Sequence, residues 1–269
     1  MGYGSSMQPT PWQIGLFKTS LMKKEKVRLI RKRIDFSGKT VLDLGSSHGT
    51  VSLQLKKLGG EWIHADLDRE NLESSRPVLG SKLIRIGTKT LPLRQESVDM
   101  VLALDFLEHV REDGAILKEA HRVLRSGGQI VISTPHYGAR QLLNRIKPGL
   151  GLKPEIYGHV RPGYSLPELT KLLEQNGFRT EHASTYAKFL TEWMELTLNL
   201  MYIRKNRNIN SNRRTGAISP QSQHEISRHS RLLTFYARVV YPIVYAITRL
   251  DHLLFWKKGY ATLVIGRKA

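Results

Sequence analysis

The sequence predicts an α/β fold in which a doubly wound, mostly parallel sheet is covered by helices. Three observations predict it. Short β-branched and apolar runs alternate with amphipathic segments, and the connections are short, the pattern of a covered parallel sheet. The run Thr40-Val41-Leu42-Asp43-Leu44 leads into Gly45-Ser46-Ser47-His48-Gly49 and then a helical pattern, a strand–turn–helix unit. A second strand, Glu61 to Leu67, carries the acid Asp66 at its end, 23 residues beyond Asp43.

Taken in order, Pro11 to Arg33 reads as helix. Trp12, Leu16, Leu21, Val27 and Ile30 are its apolar positions. Lys18, Lys23, Lys24, Lys26, Arg28, Arg31, Lys32 and Arg33 supply a basic face, either solvated at the sheet edge or set against an anionic surface. The first strand follows. Gly45 and Gly49 bracket its turn, where a missing side chain lets backbone approach a ligand. Helix N–H groups at such a turn face bound anions. Val51, Leu53, Leu55 and Leu58 continue as helix to the stop Gly59-Gly60. In dinucleotide folds an acid near the Asp66 spacing accepts ribose hydroxyls; the plainer alternative is a helix cap. Asp68 is expected to cap the helix that starts near Arg69.

Lys82 to Ile86 is the third strand, and Gly87 to Leu93 connects it to the fourth, Ser97 to Leu104. Asp105 to Arg111 reads as a loop and Gly114 to Arg125 as a helix, with Ser126-Gly127-Gly128 as its stop. Gln129 to Thr134 is the fifth strand, ended by Pro135. The long segment from His136 to Gly163 carries Arg140, Arg145, Lys147, Lys153 and Arg161 and reads as a lid over an acceptor site. Ser165-Leu166-Pro167-Glu168 is a capping box for a helix running to Asn176, and Phe178 to Tyr186 is the sixth strand.

Composition narrows the function classes. The chain has 269 residues, 40% of them apolar, enough for one α/β domain with additions. Its net charge of +19, from 42 Lys and Arg against 23 Asp and Glu, implies an anionic partner such as a membrane surface or nucleic acid. It has no cysteine, hence neither disulfides nor thiolate metal sites, and no other metal constellation stands out. Met1 to Thr10 lacks the pattern of a signal peptide, and no apolar run reaches the length of a plain membrane span. The expected location is cytoplasmic, peripheral on the inner face of a membrane.

The turn excludes two nucleotide motifs: its glycines are four apart rather than in a G-x-G-x-x-G, and no G-K-S/T follows. Asp43 to Gly49 instead resembles the first motif of class I S-adenosylmethionine-dependent methyltransferases, with Ser47 where the middle glycine usually stands. Leu91-Pro92, Val98-Asp99, Glu108-His109 and Arg122-Val123-Leu124 with Gly127-Gly128 are similar to the ubiquinone-biosynthesis-like (type 11) branch of that family. The resemblance covers roughly Gly38 to Thr185. It implies a Rossmann-like, seven-stranded sheet with an antiparallel last strand, and S-adenosyl-L-methionine as cofactor. It implies that Gly45, Ser46, Ser47 and Gly49 approach the methionine part, that Asp43 orders that loop and that Asp66 and Leu67 meet the ribose. Gly87 and Thr88 would hold adenine through backbone atoms, since the usual acid is missing there, and Leu104 and Asp105 would lie beside the cofactor. His109, His136 and Tyr137 are the candidate bases, and His159 lies on the same loops.

The seventh strand is expected only at Gly259 to Arg267, so a helical insertion separates it from the sixth. The expected organisation is a basic helical segment (1–37), a methyltransferase core (38–186), an insertion (187–258) and the final strand (259–269). In the insertion Phe189, Trp193, Leu196, Leu200 and Ile203 form a helical stripe, Arg204 to Arg231 reads as a polar loop, and Leu232 to Trp256 reads as an interfacial helix. Three functions compete: methyl transfer to a lipid, quinone or lipid-linked glycan at a membrane surface; RNA methylation, for which no recognition module or N/D-P-P-Y/F motif is present; and binding by a methyltransferase fold without catalysis. The sequence leaves the acceptor and the oligomeric state open.

Overall fold

The computed structural model describes residues 12–137, 158–194, 196–197, 238, 240–253 and 258–269. Its strands are β1 (Thr40–Leu44), β2 (Glu61–Asp66), β3 (Leu83–Arg85), β4 (Val98–Leu104), β5 (Leu124–Pro135), β6 (Phe178–Tyr186) and β7 (Ala261–Lys268). They form one sheet in the order β3-β2-β1-β4-β5-β7-β6. β7 runs antiparallel to both β5 and β6, and the pairs from β3 through β5 are parallel. The doubly wound, Rossmann-like sheet with an antiparallel last strand is therefore as expected.

Strand alternation sorts the core into two layers. Leu42, Leu44, Val101, Ala103, Ile130 and Ile132 pack on one face. There they meet Ile116, Leu117 and Ala120 of α5 (Asp113–Val123) and Leu169 and Leu173 of α6 (Leu166–Gln175). Val41, Met100, Leu102 and Val131 pack on the other face, against Ile30 of α2 (Leu21–Arg31) and Leu55 of α3 (Ser52–Lys56). The chain order reverses between β1 and β4, the crevice where open α/β sheets place their ligands.

Three local expectations are corrected. The basic N-terminal helix is two helices, α1 (Trp12–Thr19) and α2, because Ser20 is extended and its Oγ accepts from the backbone N–H of Lys23 at 3.3 Å. Ser126-Gly127-Gly128 is not a helix stop but the start of β5. Leu124 already pairs with Val98, Gly127 has φ +71°, and a side chain at Gly128 would meet the Arg125 and Asp99 carbonyls within 3.0 Å. Lys26 does not belong to a solvated face; it is 3% exposed. The capping box at Ser165 and the Asp68 cap of α4 (Arg69–Leu79) form as read.

The described part of the insertion packs on α2. Tyr241 and Val244 of α7 (Tyr241–Arg249) bury against Leu21, with Met194 beside them. Asp251 caps the helical stretch 189–194. Its carboxylate accepts the backbone N–H of Leu190 (2.8 Å) and of Thr191 (3.0 Å) and the Thr191 hydroxyl (2.7 Å). The polar loop at Arg204 to Arg231, Leu200 and Ile203 of the stripe, and the lid residues Arg140, Arg145, Lys147 and Lys153 lie outside the described residues.

Removing the Ser20 cap leaves an α2 donor unpaired. Ser20→Ala is expected to lower stability by about 1 kcal/mol, read as a lower urea midpoint at unchanged slope; an unmoved midpoint contradicts the cap.

Candidate functional site

Asp66 organises the β1–α3 turn. Its Oδ2 accepts the Ser47 N–H at 2.7 Å, and its Oδ1 accepts the Asp68 N–H at 2.9 Å and the Asn71 side-chain amide at 3.0 Å. These three bonds occupy most of the roughly four acceptor positions of a carboxylate. Gly45 N–H and Ser46 N–H both donate to the Ala65 carbonyl, at 2.8 and 3.1 Å, so the turn is tied to β2 as well. Asp43, expected to order the loop, pairs instead with His64 of β2 at 3.0 Å inside the sheet. The ordering task falls to Asp66.

Backbone conformation explains the glycines. Gly45 and Gly49 have φ +75° and +79°, and a side chain at Gly45 would collide with the Phe106 ring at 2.7 Å. Phe106 follows Asp105, so this contact sets the tip of β4 against the first turn. Ser47 replaces a glycine yet adopts φ +50°, a left-handed conformation that costs an L-residue roughly 1–2 kcal/mol. Two features leave room for a ligand. Ser46 Oγ is buried and has no hydrogen-bond partner. Gly87 is exposed, and no atom lies within 4 Å of where its side chain would begin. Thr88 and Leu67 are half-buried beside these strand tips, and Leu104 is buried at the end of β4.

Beyond β4 stands a buried polar cluster. The Lys26 ammonium forms an ion pair with Asp105 Oδ2. Asp105 has φ +55°, and its N–H donates to the Ser133 carbonyl at 2.7 Å. The Tyr186 hydroxyl shares a 2.8 Å hydrogen bond with Ser133 Oγ. Burial raises the Tyr186 phenol to about 12. Desolvation lifts the Asp105 carboxyl, but the charge and hydrogen bond of Lys26, with Lys23 and His109 further out, hold it below its ordinary value. Lys26 is pulled the other way: burial opposes its charge, yet Asp105 outweighs burial and it stays cationic. Glu108 is 0% exposed and neither carboxyl oxygen has a partner. Burial, then the Asp105 charge, pushes its carboxyl well above the carboxylate range.

The segment 158–164 docks on the turn that bears Glu108 and His109. His109 Nδ1 lies 3.0 Å from the Gly158 carbonyl, Val160 N–H donates to the Glu108 carbonyl at 2.9 Å, and Arg161 donates to the carbonyls of Val110 and Arg111. His159 stacks edge-on against His109 with centroids 4.8 Å apart, and burial together with His109 lowers it to about 4. Arg111, His159, Val160 and Arg161 line an open recess of about 520 Å³. Glu108, His109 and His159 bring three metal-capable atoms within 4.8 Å of one another. His109 uses Nδ1 on the Gly158 carbonyl, and we assign no metal to the trio.

Of the candidate bases, His109 stands in this cluster. His136 is 3% exposed, and its Nδ1–H donates to the Gly259 carbonyl at 2.8 Å. Tyr137 is exposed at the end of β5. Lys26 was missed as a site residue. Its spacing from Ile30, four residues on the same helix face, is the signal that finds it.

Residues 42–132 match the model of the methyltransferase domain family. They are a class I methyltransferase domain of the type 11 kind. A Mycolicibacterium smegmatis protein bearing the name "Probable S-adenosylmethionine-dependent methyltransferase" is 30% identical over 54% of this chain and 54% of its own length. A ubiquinone biosynthesis O-methyltransferase of Pseudomonas paraeruginosa is 27% identical over 40% of this chain and 50% of its own. The chain thus spans about half the length of the curated relatives it matches. Among solved structures, an S-adenosylmethionine-dependent methyltransferase from Archaeoglobus fulgidus superposes with TM-score 0.56 at 18% identity, covering 91% of this chain and 94% of that one. The [4+2]-cyclase SpnF superposes with TM-score 0.54 at 15% identity, covering 91% and 80%. Fold likeness alone therefore does not fix a reaction.

S-adenosyl-L-methionine is the cofactor of this domain family. The residues fit it: the orphaned Ser46 hydroxyl, the open backbone at Gly87 and the clamped turn lie at neighbouring strand tips. Ser47→Gly relieves the left-handed strain while adding unfolded-state entropy of about 0.5–1 kcal/mol. It should leave stability unchanged or raise it by up to about 1 kcal/mol in urea unfolding; a clear loss would contradict the strain at Ser47.

Proposed function

We propose that the protein is an S-adenosylmethionine-dependent methyltransferase acting on a lipid, quinone or lipid-linked glycan acceptor at a membrane surface. The single observation that carries the catalytic half is the contact between the two strand tips: the Asp66-clamped turn meets Phe106, and Asp105 stands next to it. Gly45, Ser46, Ser47 and Gly49 would hold the methionine part, Asp66 and Leu67 the ribose, and Gly87 and Thr88 the adenine. When bound, the cofactor supplies a methyl group already activated by the sulfonium. The chain's own task is then positioning and water exclusion, which together supply roughly 7–11 kcal/mol in favourable cases. The fixed backbone of the turn and the buried Glu108 suit that task.

The membrane half rests on α7 and its surroundings. Ile243 (59% exposed), Tyr245 and Ile247 project from α7, and Leu250 (52%) and Leu253 (67%) from the 3-10 turn that follows it. Phe189 and Trp193 are exposed on the neighbouring helical stretch. The Lys24 ammonium lies 4.2 Å from the Tyr241 ring centroid. Apolar side chains beside cations on a chain of net charge +19 suit an anionic bilayer surface. α7 has nine residues, about 13 Å at the helical rise. Among the described residues no helix is long and apolar enough to cross a membrane.

Two experiments test the two halves. Asp66→Ala should weaken S-adenosylmethionine binding at least tenfold by calorimetry, with the fold kept by circular dichroism; unchanged affinity would reject the cradle. Ile243→Glu with Leu250→Glu should abolish flotation with phosphatidylglycerol-containing vesicles. Undiminished flotation would reject the α7 face, and tight, salt-sensitive RNA binding without flotation would favour the RNA reading.

A further inference from the structure

The residue hardest to explain by folding alone is Lys26. α2 turns Leu21, Lys26 and Ile30 inward, and a buried ammonium among apolar neighbours is costly without a partner. A leucine at this position would pack at less cost. The ammonium instead meets Asp105 at the tip of β4, with Tyr186 of β6 beside it and Tyr186 tied to Ser133 of β5. Three strands and one helix therefore converge on one charge.

Asp105 is set unlike the lysine. Its side chain is 53% exposed, and only Oδ2 is engaged. Among the described residues Oδ1 has no hydrogen-bond partner. The next residue, Phe106, is wedged against Gly45 of the cofactor turn, so this free oxygen stands at the edge of the proposed cradle. The groups facing Asp105 are Lys26 and Lys23 from α2, Glu108 and His109 from the turn after β4, Tyr186 from β6, and His159 from the docked segment.

We propose that Asp105 is the group that receives the acceptor's proton, and that Lys26 is the positioning residue that keeps Asp105 anionic and aimed at the cleft. The proposal rests on the methyltransferase reading and names the acceptor chemistry for it: a hydroxyl or an amine bearing an N–H or O–H. Before transfer, the acceptor donates a hydrogen bond to Asp105 Oδ1, which fixes the direction of its lone pair. As the acceptor atom gains its bond to carbon it becomes strongly acidic. Its proton then passes to Asp105 and on to water, while the electron pair of the broken carbon–sulfur bond stays on sulfur. A carboxylate held weakly basic by Lys26 is sufficient for a proton that becomes acidic only in the transition state. Held anionic, it cannot be blocked by prior protonation.

The test uses the full chain with Lys26→Met, Lys26→Arg and Asp105→Asn, each checked for fold by near-ultraviolet circular dichroism. The Asp105 carboxyl is titrated by carbon-13 NMR, cofactor affinity is measured by calorimetry, and transfer of labelled methyl to a total lipid extract is followed from pH 3 to 8. In the wild type Asp105 should titrate below the usual carboxylate value of about 3.9. Lys26→Met should raise it by at least one unit and shift the acid limb of transfer upward by the same amount, and Lys26→Arg should restore both. Asp105→Asn should lose at least tenfold in transfer measured at saturating cofactor. An Asp105 titration that ignores Lys26→Met, or transfer by Asp105→Asn within twofold of wild type, would overturn the proposal. Wild-type protein that fails to bind S-adenosylmethionine would instead overturn the methyltransferase reading, leaving the titration to judge the Lys26–Asp105 coupling.

Discussion

The carboxylate of Asp66 is the constraint on which the site depends. A strand ending in two glycines and two serines has no intrinsic reason to hold one shape. Three hydrogen bonds to one buried acid remove that freedom. They fix the turn after β1 to the start of α4, across the parallel β1–β2 pair. Charge-assisted bonds of this kind are stronger than neutral ones, and here two of them satisfy the backbone N–H groups of Ser47 and Asp68. The turn is thus shaped before any ligand arrives, and binding incurs little ordering cost.

A second constraint meets it from β4. Both Asp105 and Ser47 hold left-handed backbone conformations without being glycine. Such residues persist where the surroundings over-determine them, and they concentrate at functional sites. At Asp105 the surroundings are visible: the ion pair to Lys26, the backbone bond to Ser133 and the Phe106–Gly45 contact. Two carboxyl groups three residues apart are pushed in opposite directions, Asp105 down by the Lys26 charge and Glu108 up by burial. Divergence of this kind between neighbours marks a site built for proton handling.

Much of this was legible in the sequence because the parallel sheet writes itself as apolar runs with glycine turns. β1, β2, β4, β6 and β7 lie within a residue or two of their expected bounds, and the Ser165 box and Asp68 cap could be read from residue type alone. Less legible was whatever depended on tertiary partners. Gly127 and Gly128 look like a helix stop, but a neighbouring strand recruits them into β5. Asp43 looks like the loop's acid, but its side chain reaches across to His64 of β2 while Asp66 reaches back to the turn. Lys26 hides within a dense run of basic residues, where charge count suggests solvent and only the four-residue spacing to Ile30 betrays an inward face.

The central claim is that the tips of β1 and β4 form one cofactor cradle. Amide hydrogen exchange on the full chain, with and without S-adenosylmethionine, tests it most directly. The account predicts new protection in peptides covering 44–50 and 104–110 together, with α6 unaffected. Protection absent from both, or confined to a segment remote from these tips, would contradict it.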